Sequence, residues 1–474
     1  MPAGIDADYV VVGAGTAGLA FTDTLIRHGS GTVAIIDIRA NPGGHWNDAY
    51  SFVRLHLPSH FYGVNSIPIE REREVYRGGL NRSLLHLATA TELLAYFQRV
   101  MDALLATGRV TYWPTTMLDW PTKEAISMVS GTRRAVTARK KLVNGAASGT
   151  RVPVPGTRPF AVMDDAAVVA IRDLPVVRRS FSHYCIIGGG KTGADACLWL
   201  IENGVAADRI RWIVPRDAWW VNRAKLQFTD ETFDDGLSFM HGQMEALADA
   251  TSPDDIFPAM EARGLCFRLD ASRTPTQYHM ASMSPAECDI LHTITDITRL
   301  GHLRSVSPTE LLFESGREPA KPDTLYVDCS QNGIAGQPPQ KLFGAGTLAL
   351  SVTRPARPSF SAAILGLIEA IGGSDEQKNA LASPVPVPRY PGDLLHIVAP
   401  GASNTKAWMA NRVIADWIKS SRLDPMPGLL AAVTPEHANR LEGVAHLQRT
   451  TARAMERLPA LTAMLGTAPP HLRR

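Results

Sequence analysis

A glycine-rich turn close to the start of the chain is the first feature of the sequence that indicates chemistry. Residues 8–12 form a short apolar run typical of a buried strand, and residues 13–18 then read Gly-Ala-Gly-Thr-Ala-Gly before an apolar stretch that ends at Gly29. Such a loop lets backbone amides at a helix N-terminus approach a pyrophosphate. The loop therefore predicts a dinucleotide site whose contacts are Gly13, Gly15, Thr16, Ala17 and Gly18.

An acidic residue follows at the spacing expected for ribose recognition. A second apolar run, residues 32–36, ends at Asp37, which lies 19 residues after Gly18. A carboxylate at the end of the second strand accepts hydrogen bonds from a ribose diol. A purely structural glycine turn is the alternative, but the order of strand, turn, helix and acid favours a nucleotide site.

The same pattern recurs in the middle of the chain. Residues 184–187 form another apolar run, and residues 188–193 read Gly-Gly-Gly-Lys-Thr-Gly, a spacing that differs from that of an ATP-binding P-loop. The predicted contacts here are Gly188, Gly190, Lys191, Thr192 and Gly193. The next apolar run, residues 210–214, leads to Arg216 where the first unit has its acid. A cation suits a 2'-phosphate and favours NADPH over NADH, the alternative being a solvated surface arginine.

Two dinucleotide units of this kind in one chain are most simply explained by a flavin that accepts hydride from a nicotinamide. The first unit, with its ribose acid, predicts FAD, and the second, with Arg216, predicts NADPH. A small-molecule substrate is then the expected partner.

Composition excludes several other classes of protein. The 474 residues carry 48 basic and 46 acidic side chains, and this balance argues against a nucleic-acid partner. The sequence has no long apolar run that predicts a membrane span, and its first residues do not resemble a secretion signal, so we expect a cytoplasmic protein. The five cysteines form no metal-spaced cluster, and Pro58 between His56 and His60 argues against a helical metal pair, so no metal is expected.

Two further segments carry a resemblance to a known family. Residues 43–46 read Gly-Gly-His-Trp, and residues 54–58 read Arg-Leu-His-Leu-Pro. Together they resemble the flavin-containing monooxygenase superfamily, a class B group that includes Baeyer–Villiger, N-hydroxylating and plant indole-pyruvate monooxygenases. The spacing of Tyr50, Arg54, His56, Ser59 and Tyr62 is similar to a stretch of the Baeyer–Villiger group that has aspartate in place of His56. The resemblance implies cofactor contacts from Gly44, His45, Trp46, Arg54, His56 and Leu57.

The resemblance also implies an architecture. Residues 212–220 are similar to the segment in which the superfamily's arginine contacts the 2'-phosphate of NADPH, which supports that role for Arg216. We expect an α/β fold with two Rossmann-like domains, the NADPH domain being inserted into a split FAD domain, followed by a helical C-terminal region. The expected parts are residues 1–170 and 326–390 for FAD, 171–325 for NADPH with a helical insertion, and 391–474 for the C-terminal helices. The chain is expected to return to the FAD domain through a strand at residues 325–329.

The activity implied by the resemblance is that of a single-component monooxygenase. NADPH would reduce FAD, molecular oxygen would form a C4a-(hydro)peroxyflavin, and a small organic substrate would be oxygenated at nitrogen, sulfur or a carbonyl. His56 is the candidate catalytic residue, as a hydrogen-bond partner of the flavin adduct or of NADP, and a structural histidine is the alternative. Trp46 would cover the flavin ring or fill the core.

The reaction subtype stays open at this point. The Baeyer–Villiger fingerprint F-x-G-x-x-x-H is missing, because Phe160 is followed by Val162 and Ala166 at the glycine and histidine positions. Two other functions fit the residues: a flavoprotein reductase or dehydrogenase with an external acceptor, and a nucleotide-sensing flavoprotein without turnover. The C-terminal region would cap the active site or form a homodimer.

Overall fold

The computed structural model describes residues 4–147, 157–330 and 340–466. In chain order, the strands of these residues are β1 (Ile5–Val12), β2 (Val33–Ile36), β3 (Val110–Trp113), β4 (Thr116–Asp119), β5 (Glu124–Ser127), β6 (Arg133–Asn144), β7 (Ala161–Val162), β8 (Val168–Ala170), β9 (His183–Ile187), β10 (Ile210–Ile213), β11 (Ala218–Asn222), β12 (Cys266–Phe267), β13 (Gln277–Met283), β14 (Asp296–Thr298), β15 (Leu303–Val306), β16 (Glu310–Phe313), β17 (Gly316–Pro319), β18 (Thr324–Asp328), β19 (Phe343–Gly344) and β20 (Thr347–Ala349). The helices are α1 (Thr16–His28), α2 (Ala90–Leu105), α3 (Lys191–Glu202), α4 (Phe233–Asp249), α5 (Ile256–Ala262), α6 (Pro285–Leu291), α7 (Pro358–Ile371), α8 (Asp375–Leu381), α9 (Asp393–Ala410), α10 (Arg412–Ser420), α11 (Pro425–Ala431) and α12 (Ala438–Met464).

The first lobe is built on a sheet in which β1 is central. β1 pairs in parallel with β2 on one side and β6 on the other, β3 continues beyond β2, and β20 continues beyond β6. Helices α1 and α7 pack against each other over this sheet. Because helices cover the sheet, β1 and β2 are apolar along most of their length, as buried parallel strands are.

The second lobe contains a separate parallel sheet with the order β14-β10-β9-β18-β8. Its strands lie between β6 and β19 in the chain, so the second lobe is inserted into the first. The expectation that the strand at residues 325–329 returns to the first sheet is wrong, because β18 pairs with β9 and β8. The return to the first sheet occurs at β20, and the strand β8 before residue 171 already belongs to the second sheet.

The helical C-terminal region packs on the helices inserted in the second lobe. Helix α12 lies along α4, and both contribute to one apolar core that includes Phe233, Phe239, Leu447 and Leu458. Together the mixed sheet of the first lobe, the parallel sheet of the second, the insertion and these helices confirm the α/β fold class predicted from the sequence. Within the described residues, no helix is long and apolar enough to cross a membrane.

Helix α7 joins the first lobe to the C-terminal helices through one buried ring. Phe360 is fully buried, and its ring lies 5.7 Å from that of Trp408 and 5.8 Å from that of Trp417. We expect Phe360→Ala to lower the free energy of unfolding by about 3–5 kcal/mol, because the substitution leaves a cavity. Chemical denaturation measures the change, and Val413→Ala, at a position that is 55% exposed on α10, serves as the control. Equal effects of the two substitutions would contradict the packing described.

Candidate functional site

The first glycine loop, residues 13–18, has the backbone geometry of an anion site. Gly13 has a φ of +110°, and a Cβ atom on Gly18 would lie only 1.9 Å from the Gly13 carbonyl oxygen. Helix α1 begins directly after Gly15, which provides no side-chain cap, and its first turn holds no acidic residue. The N–H groups of this turn therefore stay available for a phosphate.

Asp37 lies against the same loop. One carboxylate oxygen accepts a hydrogen bond from the Ala14 N–H (2.6 Å), and the other accepts one from the Arg39 N–H (2.8 Å). The side chain is 5% exposed. Asp37 thus fixes the loop to the end of β2, and each of its oxygens keeps a lone pair with which to accept a ribose hydroxyl.

The Gly-Gly-His-Trp segment closes over the first glycine loop. The Gly43 N–H donates to the Ala14 carbonyl oxygen at 2.8 Å, and the Trp46 Nε1–H donates to the Tyr62 hydroxyl at 2.8 Å. The Tyr62 hydroxyl is also 2.6 Å from Thr16 Oγ1, at the first residue of α1. Trp46 is buried, whereas the neighbouring His45 is exposed. The segment therefore builds one side of the cradle, with Trp46 as part of its core.

The second glycine loop, residues 188–193, repeats this geometry. Gly188 has a φ of +130°, and a Cβ atom on Gly193 would lie 2.0 Å from the Gly188 carbonyl oxygen. Gly190 precedes α3 without a side-chain cap, and a Cβ atom there would meet nothing within 4 Å. The open space beside Gly190 is the kind of cradle that a pyrophosphate fills.

Two cations lie near the second loop, and they differ in whether they are paired. Lys191 forms an ion pair with Asp195, one turn along α3. Arg216 is exposed, and within the described ranges its side chain makes no hydrogen bond or ion pair. The nearby Arg299, by contrast, pairs with Asp217 at 3.0 Å. Arg216 is therefore the cation that is free to meet a phosphate.

Residues 50–56, here called the interlobe segment, connect the first lobe with α3 of the second lobe. The Tyr50 hydroxyl donates to an Asp195 carboxylate oxygen at 2.7 Å, and the Phe52 ring stacks on Trp199 with centroids 4.9 Å apart. Burial, together with the Asp195 charge, raises the pKa of Tyr50 well above its usual range, so its hydroxyl stays a proton donor. The segment belongs to the first lobe and binds to α3 of the second.

His56 lies at the end of the interlobe segment, against β13. Its carbonyl oxygen accepts hydrogen bonds from Arg223 Nε (2.9 Å) and from the Ser282 hydroxyl. Its ring Nδ1 accepts from the Ser282 N–H at 3.4 Å, an arrangement that leaves the ring proton on Nε2. Burial, with the charges of Lys191 and Arg223, lowers the pKa of His56 to about 3. His56 is therefore an uncharged hydrogen-bond donor at neutral pH.

Two further predicted contacts, Arg54 and Leu57, lie on the interlobe segment or directly after it. Arg54 is exposed and donates to the Tyr76 hydroxyl at 3.3 Å. It lines a cavity of about 330 Å³ that Lys191 and Glu202 also line. Leu57 packs on the apolar core shared by the second lobe and the C-terminal helices. Cofactor contacts by Arg54 and Leu57 stay predictions.

Three residues that the sequence reasoning missed position the site. Asp195 holds both Tyr50 and Lys191, while Arg223 and Ser282 hold His56. Asp195 lies four residues after Lys191 on a predicted helix, a spacing at which an ion pair is expected, so it was detectable. Arg223 and Ser282 come from distant segments, and no local pattern marks them. In the part of the chain that the structure describes, no group of three or more His, Cys, Asp or Glu side chains is placed to hold a metal ion.

The open space at Gly190 gives a direct test of the second loop. We expect Gly190→Ala to raise the Kd for NADPH about tenfold or more, which is about 1.4 kcal/mol, because the added methyl group occupies the cradle. Titration of the purified protein with NADPH measures the change. Gly78→Ala is the matched control, since a Cβ atom at Gly78 also meets nothing within 4 Å and Gly78 lies outside both loops. Equal Kd values for the two variants would argue against the site.

The neutral state of His56 predicts a pH dependence of stability. In the unfolded chain a histidine binds a proton below a pH of about 6.5, whereas the native pKa of His56 is about 3. The native state therefore loses free energy of unfolding as the pH falls from 6.5 towards 3, at up to about 1.4 kcal/mol per pH unit. We expect His56→Gln to lose about 2 kcal/mol less than the parent between pH 6.5 and 4.5 in chemical denaturation. Parallel curves for the two proteins would show that the native pKa of His56 is close to that in the unfolded chain.

No family model matches the sequence. The chain is 37% identical over 461 residues to Uncharacterized protein Rv2000 of Mycobacterium tuberculosis and to Uncharacterized protein Mb2023 of Mycobacterium bovis, with 96% of this chain and 84% of each relative covered.

Solved structures of flavin monooxygenases also show a partial similarity in fold to this chain. Cyclohexanone monooxygenase in a cyclohexanone-bound, rotated conformation gives a TM-score of 0.48 at 14% identity, over 93% of this chain and 97% of that one. A flavin-containing monooxygenase from Stenotrophomonas maltophilia gives 0.42 at 13% identity, over 79% of this chain and 99% of that one. The sequence identity to the mycobacterial relatives, over nearly the whole chain, shows that this protein belongs to the family of Rv2000 and Mb2023.

Proposed function

We propose that this protein is an NADPH-dependent FAD monooxygenase that oxygenates a small organic substrate with molecular oxygen. The observation that carries the proposal is the pair of glycine loops, each before a helix N-terminus without a side-chain cap, in two lobes that the interlobe segment joins. Two dinucleotides held in this way are suited to hydride transfer between them. The oxygenation half rests on the resemblance of residues 43–46 and 54–58 to the flavin-containing monooxygenases.

The first lobe is suited to FAD. The N–H groups after Gly15 would hold the pyrophosphate, and Asp37 would accept the ribose hydroxyls. Thr16, Tyr62 and Trp46 would fix the side of the cradle through their shared hydrogen bonds. When bound, the flavin supplies a hydride acceptor that reacts with oxygen after reduction.

The second lobe is suited to NADPH. The cradle beside Gly190 would hold the pyrophosphate, and the unpaired Arg216 would hold the 2'-phosphate. Lys191 is already paired with Asp195, so its contribution to a phosphate would be smaller than that of a free lysine. His56, an uncharged donor at the end of the interlobe segment, lies against β13, where its ring Nδ1 accepts from the Ser282 N–H.

His56 is suited to hydrogen bonding and not to proton transfer. Its pKa of about 3 means that a proton added to the ring at neutral pH is lost at once. A neutral imidazole can still donate from Nε2 to an oxygen or nitrogen of a bound cofactor. Its role would be to orient NADP or the flavin while it adds no charge to the site.

The choice of nicotinamide cofactor depends on Arg216. We expect Arg216→Gln to raise the Kd for NADPH about tenfold or more and to leave the Kd for NADH unchanged, because only NADPH carries the 2'-phosphate. Binding titrations with both cofactors measure this difference. Arg77→Gln, at another exposed arginine, controls for the loss of a surface charge. An equal loss for both cofactors would assign Arg216 to a structural role.

The reaction with oxygen distinguishes a monooxygenase from a reductase, an oxidase or a sensor. NADPH oxidation, hydrogen peroxide release and product formation are followed together in air, with panels of amines, sulfides and ketones. A monooxygenase consumes NADPH with formation of oxygenated product and with little peroxide when a substrate is present. Peroxide equal to the NADPH consumed, whatever is added, would indicate a reductase or oxidase. Bound cofactors without NADPH consumption would indicate a sensor.

The reaction subtype, the cytoplasmic location and a homodimer stay predictions of the sequence.

A further inference from the structure

A cavity of about 330 Å³ lies between the interlobe segment and α3. It borders the second glycine loop, because Lys191 at the start of α3 lines it. Charged side chains of both signs line the cavity, three basic and three acidic: Arg54, Lys191, Arg223, Asp195, Glu202 and Glu287. The charges on its walls therefore sum to zero, and a ligand without net charge leaves this balance unchanged.

Four of these six side chains are paired with one another. Lys191 forms an ion pair with Asp195, and Arg223 Nη1 lies 3.0 Å from Glu287 Oε1. The Arg223 side chain is only 1% exposed, and its Nη1 also donates to Asn81 Oδ1 at 2.6 Å. Separating a buried pair of this kind leaves an uncompensated charge, which is strongly unfavourable. These four side chains therefore form a fixed wall.

Arg54 and Glu202 are the two charged side chains of the cavity that lack a partner of opposite charge. Among the residues that the structure describes, the Arg54 guanidinium makes one hydrogen bond, to the neutral Tyr76 hydroxyl at 3.3 Å, and the Glu202 carboxylate makes none. Partial burial raises the pKa of Glu202, and the charge of Arg54 opposes that rise. The two groups are thus close enough to interact through space, yet they form no ion pair. A ligand with both a carboxylate and an ammonium group can fill the gap between them.

The cavity also has an apolar wall. The Phe52 ring stacks on the Trp199 ring with centroids 4.9 Å apart, and both residues line the cavity. Leu55 and Leu198 line it as well, and both are buried. Arg54 and Glu202, by contrast, are exposed, so they lie towards the solvent side. The cavity therefore offers charged contacts near its opening and apolar surface further in, which suits a ligand with a charged end and an apolar body.

We propose that this cavity binds an α-amino acid with an apolar side chain. Its carboxylate would accept hydrogen bonds from the Arg54 guanidinium, whose planar shape matches a carboxylate, and its ammonium group would donate to Glu202. Its side chain would pack on the wall that contains Phe52 and Trp199. The inference goes beyond the proposed function and does not depend on it, because binding is measured without turnover.

The test is isothermal titration calorimetry of the full-length protein with L-phenylalanine. We expect saturable binding, and we expect Arg54→Gln and Glu202→Gln each to raise the Kd about tenfold or more, because each removes one of the two charged contacts. Arg77→Gln and Glu376→Gln remove exposed charges that do not line the cavity and should leave the Kd unchanged. In the parent protein, 3-phenylpropanoate lacks the ammonium group and 2-phenylethylamine lacks the carboxylate. Each should bind at least about tenfold more weakly than L-phenylalanine.

Four results would overturn the inference. They are no binding of L-phenylalanine or L-leucine by the parent, an unchanged Kd in both Arg54→Gln and Glu202→Gln, equal affinity for either single-charge compound, and loss of amino-acid binding at saturating NADP⁺. The last result would assign the cavity to the nucleotide. If a variant does not fold, as judged by circular dichroism, the single-charge compounds decide on the parent protein. A parent that binds L-phenylalanine but no NADPH would contradict the proposed function and support the inference.

Discussion

The contact between the interlobe segment and α3 is the constraint on which the arrangement of the site depends. The two glycine loops belong to different sheets, and the hydride transfer that we propose requires that the dinucleotides bound at them meet in direct contact. Tyr50 and Phe52 bind the first lobe to Asp195 and Trp199 of the second. Asp195 also forms an ion pair with Lys191 of the second loop. One carboxylate therefore connects the interlobe segment with the loop at which a phosphate would bind.

In both lobes, the backbone N–H groups of a helix start suit anionic ligands. Each glycine loop leaves the N–H groups of a helix start without a side-chain cap or an acidic residue in the first turn. Arg216, which follows the second strand of the second lobe's sheet unit, is exposed, and its side chain makes no hydrogen bond within the described ranges. His56, at the end of the interlobe segment, stays uncharged. These features suit the anionic dinucleotides that we propose for the two lobes.

Much of the fold and part of the site could be predicted from the sequence. The glycine loops are local features, because a positive φ at Gly13 and the close packing of Gly18 depend on neighbours a few residues away. The strand with which a short strand pairs, by contrast, is not decided by residues nearby in the chain. Residues 324–328 and 347–349 are both short apolar runs, and only packing decides that the first pairs with β9 and the second with β6. Arg223 and Ser282 could not be found for the same reason, since they reach His56 across more than 160 residues of chain.

We propose that the two lobes hold FAD and NADPH close enough for hydride transfer. This proposal is tested most directly by adding NADPH to the FAD-loaded protein without oxygen, about one equivalent at a time. The flavin absorbance near 450 nm is recorded after each addition. The account predicts loss of the flavin absorbance with one NADPH consumed per flavin. Saturable binding of NADPH with no loss of flavin absorbance would contradict it, because both cofactors would then be bound but not in contact.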